Sequence, residues 1–310
     1  MTHKIPLPDP QSESIALDHI ALDWVGIQGI TLPVTVDSRP LHGKVDIGVD
    51  LLAESESRGI HMSRLYQALE SLTSAELTPA LISQFLDDIK KSQSGISSDA
   101  FIQISGQFLL LKPALISDLS GWENYPVNIS ASVPRGISQE IKVPYSSTCP
   151  CSASLSRQAI QQKWEQDTIL GNEVITRDQV SLWLKENASI ATPHSQRSWA
   201  RVKIFLDKSE PIFPIKTLIS QVENALGTAV QTAVKRVDEQ AFSIANGSHQ
   251  MFCEDAARRV YQALRYTHKY TAFDIEVIHE ESLHSHNAVA RVNVTVHRDC
   301  VDNNNSCGIG

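Results

Sequence analysis

The stretch ARVKIFL at residues 200–206 places Ala, Val, Ile and Leu at every second position. Alternation with a period of two predicts a strand with one buried face. The same reasoning predicts further strands at about 22–36, 42–52, 101–111, 127–133, 139–145, 273–277 and 290–296. Strands that are apolar on one side must bury that side under a second layer of structure.

Helical periodicity supplies this second layer. Apolar residues three and four apart predict helices over 65–72, 81–89, roughly 215–236 and roughly 254–264. Ser63 and Thr78 are the candidate N-caps of the first two helices. The order ββααββ therefore occurs in both halves of the chain, which predicts an α+β fold with antiparallel sheets and helices on one face. Open sheets leave unpaired edges, so we expect the chain to form an oligomer.

This repeat predicts two units, one over 1–136 and one over 137–310. The segment 156–192 interrupts the second unit, because it is rich in Gln, Asp, Glu and Lys and carries Trp164 and Trp183 within helix-like patterns. We interpret it as an insertion between two strands.

Composition and charge exclude several classes of function. The 310 residues are 42% hydrophobic and carry a formal charge of -8 without a long basic run, which argues against a nucleic-acid partner. No apolar run approaches the ~20 residues that cross a bilayer, and MTHKIPLPDPQSES at the start has no hydrophobic signal core. We therefore expect a cytoplasmic protein without nucleic-acid or membrane partners, in a compartment that keeps its five cysteines reduced.

Thiol, imidazole and carboxyl groups are concentrated in four segments: TCPCS at 148–152, PHSQRS at 193–198, DE at 238–239 and HEESLHSHN at 279–287. One thiolate, one imidazole and one carboxylate form a three-ligand zinc site with an open position for water. These segments are far apart in sequence, so their spacing alone does not define a metal site. A surface position for His194 and a solvated helix acid at Glu239 are the ordinary alternatives.

The two cysteines flank Pro150, which favours a functional role over that of small buried apolar residues. If this segment is extended, Cys149 and Cys151 lie on one face and both approach one metal. A turn at the proline instead makes Cys149 the ligand and leaves Cys151 on the substrate side. Glu254 has an alternative too, since an acid in the first turn of a helix stabilises the helix dipole.

Together these segments resemble the type IB GTP cyclohydrolase I family. The matching pieces, in order, are RGIHMSRL at 58–65, the strand ending in TCPCS, HSQRS at 194–198, DE at 238–239, FCED at 252–255 and ESLHSHNA at 281–288. They span most of the chain, and ESLHSHNA is particularly close to the family's pattern. The resemblance implies a tandem tunnelling fold that assembles through its sheet edges into a homotetramer with active sites at the subunit interfaces.

The resemblance also implies the metal ligands, which match Cys149, His194 and Glu239. A site of this composition accepts Zn²⁺, and Mn²⁺ or Fe²⁺ according to supply. The chain departs from many members of the family in one respect, because the 156–192 insertion separates the cysteine motif from the histidine motif. The intact HSQRS motif favours a tolerated surface insertion over a displaced ligand.

The remaining roles concern the substrate. By resemblance, Glu254 anchors the guanine edge, Glu281 and His284 transfer protons, and Cys151 is a second active-site cysteine. Imidazole groups suit proton transfer because they titrate near neutral pH. Guanidinium groups fit phosphate oxygens, and the candidate substrate-binding residues are Gln196, Arg197 and Arg64.

The implied reaction is hydrolytic opening of the guanine imidazole ring of GTP at C8, which yields formate and 7,8-dihydroneopterin triphosphate for tetrahydrofolate synthesis. One alternative is another tunnelling-fold enzyme that acts on a pterin or a deazapurine. Another is a metal-binding paralogue without turnover.

Overall fold

The computed structural model describes residues 20–55, 57–168, 174–267 and 270–295. The N-terminal stretch without a signal core and the last position of the predicted strand 290–296 lie outside these ranges. Within them, eight strands form one antiparallel sheet whose spatial order follows the chain. The strands are β1 Leu22–Val36, β2 Arg39–Leu51, β3 Ala100–Pro113, β4 Ser120–Ser132, β5 Gly136–Thr148, β6 Ser195–Leu206, β7 Tyr270–His279 and β8 Ala288–Thr295.

Helices bury one face of this sheet in a single hydrophobic core. None of them, within the described ranges, is long and apolar enough to cross a membrane. The helices are α1 Met62–Ala68, followed by a 3-10 helix at Leu69–Leu72, α2 Pro79–Ser92, α3 Pro150–Thr168, α4 Arg177–Asn187, α5 Ile215–Leu226, α6 Arg236–Ser248 and α7 Cys253–Leu264. The mixed α+β class predicted from the sequence is therefore confirmed.

Strand alternation separates the core from the opposite face of the sheet. In β6, Ala200 and Val202 are fully buried, whereas Arg201 between them is exposed. On that opposite face Arg201 Nη1 lies 3.2 Å from Glu276 Oε1, and Arg291 Nε lies 2.5 Å from Glu276 Oε2. Side chains of opposite charge on neighbouring strands stabilise this solvent-facing surface modestly.

The helix ends differ from expectation in two places. Thr78 caps α2 as predicted, with its hydroxyl accepting from Leu81 N at 3.1 Å. The prediction of Ser63 as an N-cap is wrong, because α1 begins at Met62 and His61 is its N-cap. The Gln93 side chain bonds both the backbone N–H and the backbone oxygen of His61. The helix predicted over 215–236 is also wrong in extent, since it ends where Gly227 adopts a φ of 74°.

Two buried carboxylates join the halves of the chain. Glu223 on α5 accepts a hydrogen bond from the Tyr125 hydroxyl at 2.5 Å and is bonded to Lys112 Nζ. Asp238, in the first turn of α6, accepts from the backbone N–H groups of Ile116 and Ser117 at 2.8 Å each. Burial alone would raise the pKa of Asp238, but these bonds and the Ser117 hydroxyl hold it well below its ordinary value.

The segment 156–192 forms most of α3 and α4, between β5 and β6. Trp164 and Trp183 pack edge to face with ring centroids 5.0 Å apart, and Trp183 Nε1 donates to Asp167 Oδ2 at 2.8 Å. No residue of α4 is buried. The two helices thus contact each other through these tryptophans, and none of their described residues belongs to the hydrophobic core.

Candidate active site

Pro150 determines the geometry of the cysteine motif. β5 ends at Thr148 and Pro150 is the first residue of α3, a position that suits proline because the N–H it lacks has no helical partner there. The chain turns between the two thiols, so the extended arrangement of Cys149 and Cys151 on one strand face is wrong. Cys149 is half-buried, whereas Cys151 is exposed.

The backbone brings the cysteine and histidine motifs together at the base of the insertion. Cys149 N donates to His194 O at 3.3 Å, and His194 N donates to Ser152 Oγ at 3.1 Å. His194 immediately precedes β6. The pairing of β6 with β5 begins with Ser195 opposite Thr148. The helices between the two motifs therefore do not displace His194 from Cys149.

The His194 ring lies between two oxygen acceptors. Its Nδ1 is 2.9 Å from Gln196 Oε1 and 3.7 Å from Glu281 Oε2. The side chains of His194 and Glu281 are only 19% and 13% exposed, so this contact is largely shielded from water. The structure thus brings Glu281 to His194 and Gln196, two predicted site residues that lie more than eighty positions before it in the sequence.

Gln196 is buried on the core face of β6, at 8% exposure. Its Nε2 donates to Ser147 Oγ at 2.8 Å, and Ser147 Oγ lies 2.7 Å from Ser198 Oγ. The side-chain amide is therefore bonded within the protein at both ends.

Glu254 is exposed in the first turn of α7. Its own backbone N–H and the Cys253 thiol, which donates to Oε2 at 3.3 Å, lower the pKa of Glu254 below its usual value. Burial raises the pKa of Cys253 to about 11, so its proton stays in place at neutral pH. Glu254 is thus an ionised, accessible acceptor.

Sequence reasoning missed a buried pair beside this carboxylate. Tyr145 on β5 and His279 on β7 are 0% and 3% exposed, and Ser198 lies between them in the sheet register. Burial lowers the pKa of His279 to about 4, and the charge of Glu254 acts in the opposite direction. The only signal in the sequence was the position of His279 at the start of the histidine-rich segment.

The turn between β7 and β8 carries the other two predicted proton-transfer residues. Glu281 N bonds to His279 O at 3.0 Å, and Glu280 N bonds to Arg197 O at 3.2 Å, so the start of the turn is fixed against β6. His284 is exposed and stacks on His286 with centroids 5.0 Å apart. Glu281 therefore lies at the His194 ring, whereas His284 lies on the solvent side of the turn.

Three predicted residues lie apart from this cluster. Glu239 is exposed on α6, Arg197 is exposed on β6, and Arg64 on α1 donates from Nη1 to Ser92 O. In the part of the chain that the structure describes, no three Cys, His, Asp or Glu side chains come close enough to hold a metal ion. The metal-ligand set of Cys149, His194 and Glu239 thus remains a prediction.

The α+β fold thus carries a shielded imidazole between two oxygen acceptors, on a residue whose backbone is bonded to that of Cys149, and groups of this kind are typical of enzyme active sites. Comparison with known families identifies it further. The chain belongs to the type I GTP cyclohydrolase FolE2 family, whose sequence model matches residues 7–290. It is accordingly an enzyme with GTP cyclohydrolase activity in folate biosynthesis, as the sequence predicted.

Curated relatives match along nearly the whole chain. It is 49% identical over 290 residues to GTP cyclohydrolase FolE2 of Serratia proteamaculans, covering 93% of this chain and 94% of the relative. It is 48% identical over 291 residues to GTP cyclohydrolase FolE2 of Pseudomonas putida, covering 93% and 95%. Among solved structures, uricase from Arthrobacter globiformis aligns with a TM-score of 0.46 at 7% identity, covering 91% of this chain and 96% of that chain.

Proposed function

We propose that this chain is a GTP cyclohydrolase I of the prokaryotic type IB class, which hydrolyses the guanine imidazole ring of GTP at C8 with the help of a bound metal ion. The products are formate and 7,8-dihydroneopterin triphosphate. The observation that carries the proposal is the His194 ring, held between Gln196 and Glu281 on a residue whose backbone oxygen accepts from Cys149 N.

The donor chemistry at this position fits a metal. A half-buried thiol and an imidazole whose Nδ1 is already bonded are the soft and intermediate donors of catalytic zinc sites. In this proposal Cys149 and His194 hold Zn²⁺, or Mn²⁺ or Fe²⁺, and the exposed carboxylate of Glu239 completes the set. A bound metal lowers the pKa of water toward ~7 and so supplies hydroxide at neutral pH.

Protein groups then recognise the substrate and handle its protons. Glu254 is ionised and exposed, so it accepts from guanine N1–H and from the exocyclic amine. Glu281 and His284 hold and deliver the proton that the ring nitrogen beside C8 takes up as water adds there. Cys151, exposed in the first turn of α3, lies on the substrate side.

The triphosphate needs positive charge, because the chain as a whole carries a formal charge of -8. Arg197 and Arg64 are the proposed contacts, since both are exposed and guanidinium pairs with phosphate oxygens in a bidentate manner. Arg64 belongs to α1, which packs with α2 and β1, so in this proposal it reaches the site from a neighbouring subunit.

The sheet supports the proposed assembly. Among the residues that the structure describes, β1 and β8 each pair with one strand only, so both ends of the eight-stranded sheet present an edge. We propose that the halves are two tunnelling-fold units, over 1–136 and 137–310, and that subunits close these edges in a homotetramer with interfacial sites. The enzyme would act in the cytoplasm on a free nucleotide, without a nucleic-acid or membrane partner.

The test is to supply metal-reconstituted protein with GTP and to measure formate together with pterin fluorescence. Both products are expected, and the chelated protein is the matched control. Fluorescent product without formate would point to a different pterin reaction. Bound metal with neither product would indicate a paralogue that has lost turnover.

A further inference from the structure

Gln196 was expected to contact the substrate, but its surroundings indicate another task. The side chain is buried and lies between the His194 ring on one side and two serines on the other. Both ends of the amide are already bonded within the protein. A substrate could therefore reach Gln196 only by breaking one of these bonds.

The direction of these bonds follows from what each group can do. A glutamine amide presents an acceptor at one end and a donor at the other, and neutral imidazole carries its proton on either nitrogen. With Nε2 donating to Ser147 Oγ, Oε1 faces His194 Nδ1 and can only accept. The Ser147 hydroxyl, which accepts from Gln196, also bonds to Ser198 Oγ, 2.7 Å away, and either of these two oxygens can donate.

The opposite direction would require an unprotonated Nδ1 that accepts from the amide. Glu281 argues against it, because its Oε2 lies 3.7 Å from the same nitrogen as a second oxygen neighbour. A lone pair on Nδ1 would face the lone pairs of both neighbouring oxygens, whereas an N–H is attracted to them. The two acceptors thus select the same tautomer.

We propose that Gln196 is a positioning residue that fixes the His194 ring with its proton on Nδ1, which leaves Nε2 as the nitrogen that binds the metal. Ser147 anchors the amide nitrogen of Gln196 and is itself bonded to Ser198. The assignment rests on the proposed function only in taking His194 as a metal ligand. Replacing a residue that bonds the second nitrogen of a ligating histidine typically weakens metal binding about 10–100-fold.

The tautomer is measurable without any metal or turnover. In the full-length, metal-free protein labelled with ¹⁵N in its histidine rings, the His194 signals are assigned by their loss in His194→Asn. We expect the wild type to show the proton on Nδ1. Gln196→Met, similar in size but without the acceptor, should populate the other tautomer, and Gln196→Glu, which keeps an acceptor, should not. A wild-type ring protonated on Nε2 would overturn the proposal.

Metal affinity gives the second readout, by competition for Zn²⁺ with a chromophoric chelator. Gln196→Met should bind about 10–100-fold more weakly than wild type, Ser147→Ala should fall between them, and Gln196→Glu should stay close to wild type. Equal losses in the Met and Glu variants would contradict the assignment, as would a raised KM for GTP with unchanged metal affinity. Should Gln196→Met fail to fold, Ser147→Ala and Gln196→Glu still decide. A wild type that makes no formate removes the proposed function but leaves the tautomer result valid.

Discussion

The Tyr145 hydroxyl lies 2.8 Å from Nε2 of His279, and the two rings meet edge to face with centroids 5.9 Å apart. Burial raises the pKa of the Tyr145 phenol well above its ordinary value and lowers that of His279 to about 4. Both groups are therefore neutral at physiological pH. Tyr145 lies on β5, which continues to Cys149, and His279 lies on β7, which continues to Glu281. The charge of Glu254 acts on this uncharged pair through His279.

His279 should make the stability of the protein depend on pH. The unfolded chain protonates this imidazole near pH 6.5, whereas the folded chain does so only near pH 4. The stability that depends on a neutral His279 is thus fully present above pH 6.5 and is lost as the pH falls toward 4. This loss lowers the free energy of unfolding by up to about 3 kcal/mol. Urea unfolding between pH 7 and pH 4.5 measures it, and His279→Gln should flatten this part of the slope. Identical slopes would show that His279 is not responsible.

Cys149 is expected to be essential for the metal. Chelation should abolish activity, and Cys149→Ala should lose both metal and turnover, because the half-buried thiol proposed as a ligand is removed. Cys151→Ala is the matched control, since this exposed residue is in the first turn of α3, and it should retain the metal. Elemental analysis of the purified variants distinguishes them. Full metal occupancy in Cys149→Ala would remove Cys149 from the ligand set.

Glu254 should select guanine. A carboxylate pairs with guanine N1–H and the exocyclic amine, whereas adenine offers neither donor, and such a site can reject the wrong base by as much as ~10⁴-fold. ATP should not be turned over, and Glu254→Gln should lose GTP turnover while keeping its metal.

Asp255→Asn is the control for Glu254, because Asp255 lies in the same first turn of α7. If Glu254 acted only on the helix dipole, both changes would cost about 0.3–1 kcal/mol of stability and leave kinetics intact. Measuring metal content, melting temperature and kcat/KM on both variants decides. Near-normal kinetics in Glu254→Gln would exclude it from the site.

Sites shared between subunits should complement one another. Cys149→Ala and Glu254→Gln, each inactive alone, are expected to regain part of the activity when mixed under conditions that exchange subunits. Light scattering should show a tetramer for the wild type. An active monomer would contradict the proposed assembly.

Strands were the most predictable part of this fold, because alternation in segments such as 200–206 reports directly which face is buried. Helix ends were less predictable. The apolar period continues beyond Gly227, and only its left-handed conformation ends α5 there. Ser63 looked like a cap, but the bonds from Gln93, thirty-two positions from His61, set the start of α1.

In the candidate site, too, some features could be predicted from local sequence and others depend on distant contacts. Residue types and motifs identified Cys149, His194 and Glu281 as its members. The tasks of Gln196 and His279 depend on partners in other strands, such as Tyr145, which is 134 positions from His279. Which donor faces which acceptor is decided by packing, and no local pattern carries that information.

The segment 156–192 between β5 and β6 is a suitable position for engineered replacements. Cys149 N and His194 O are already 3.3 Å apart, and Ser152 Oγ accepts a second bond from His194. Loop closure therefore depends little on what lies between, because entropy grows only slowly with loop length. A short linker replacing 156–192, or a reporter domain inserted there, should leave β5 and β6 in register.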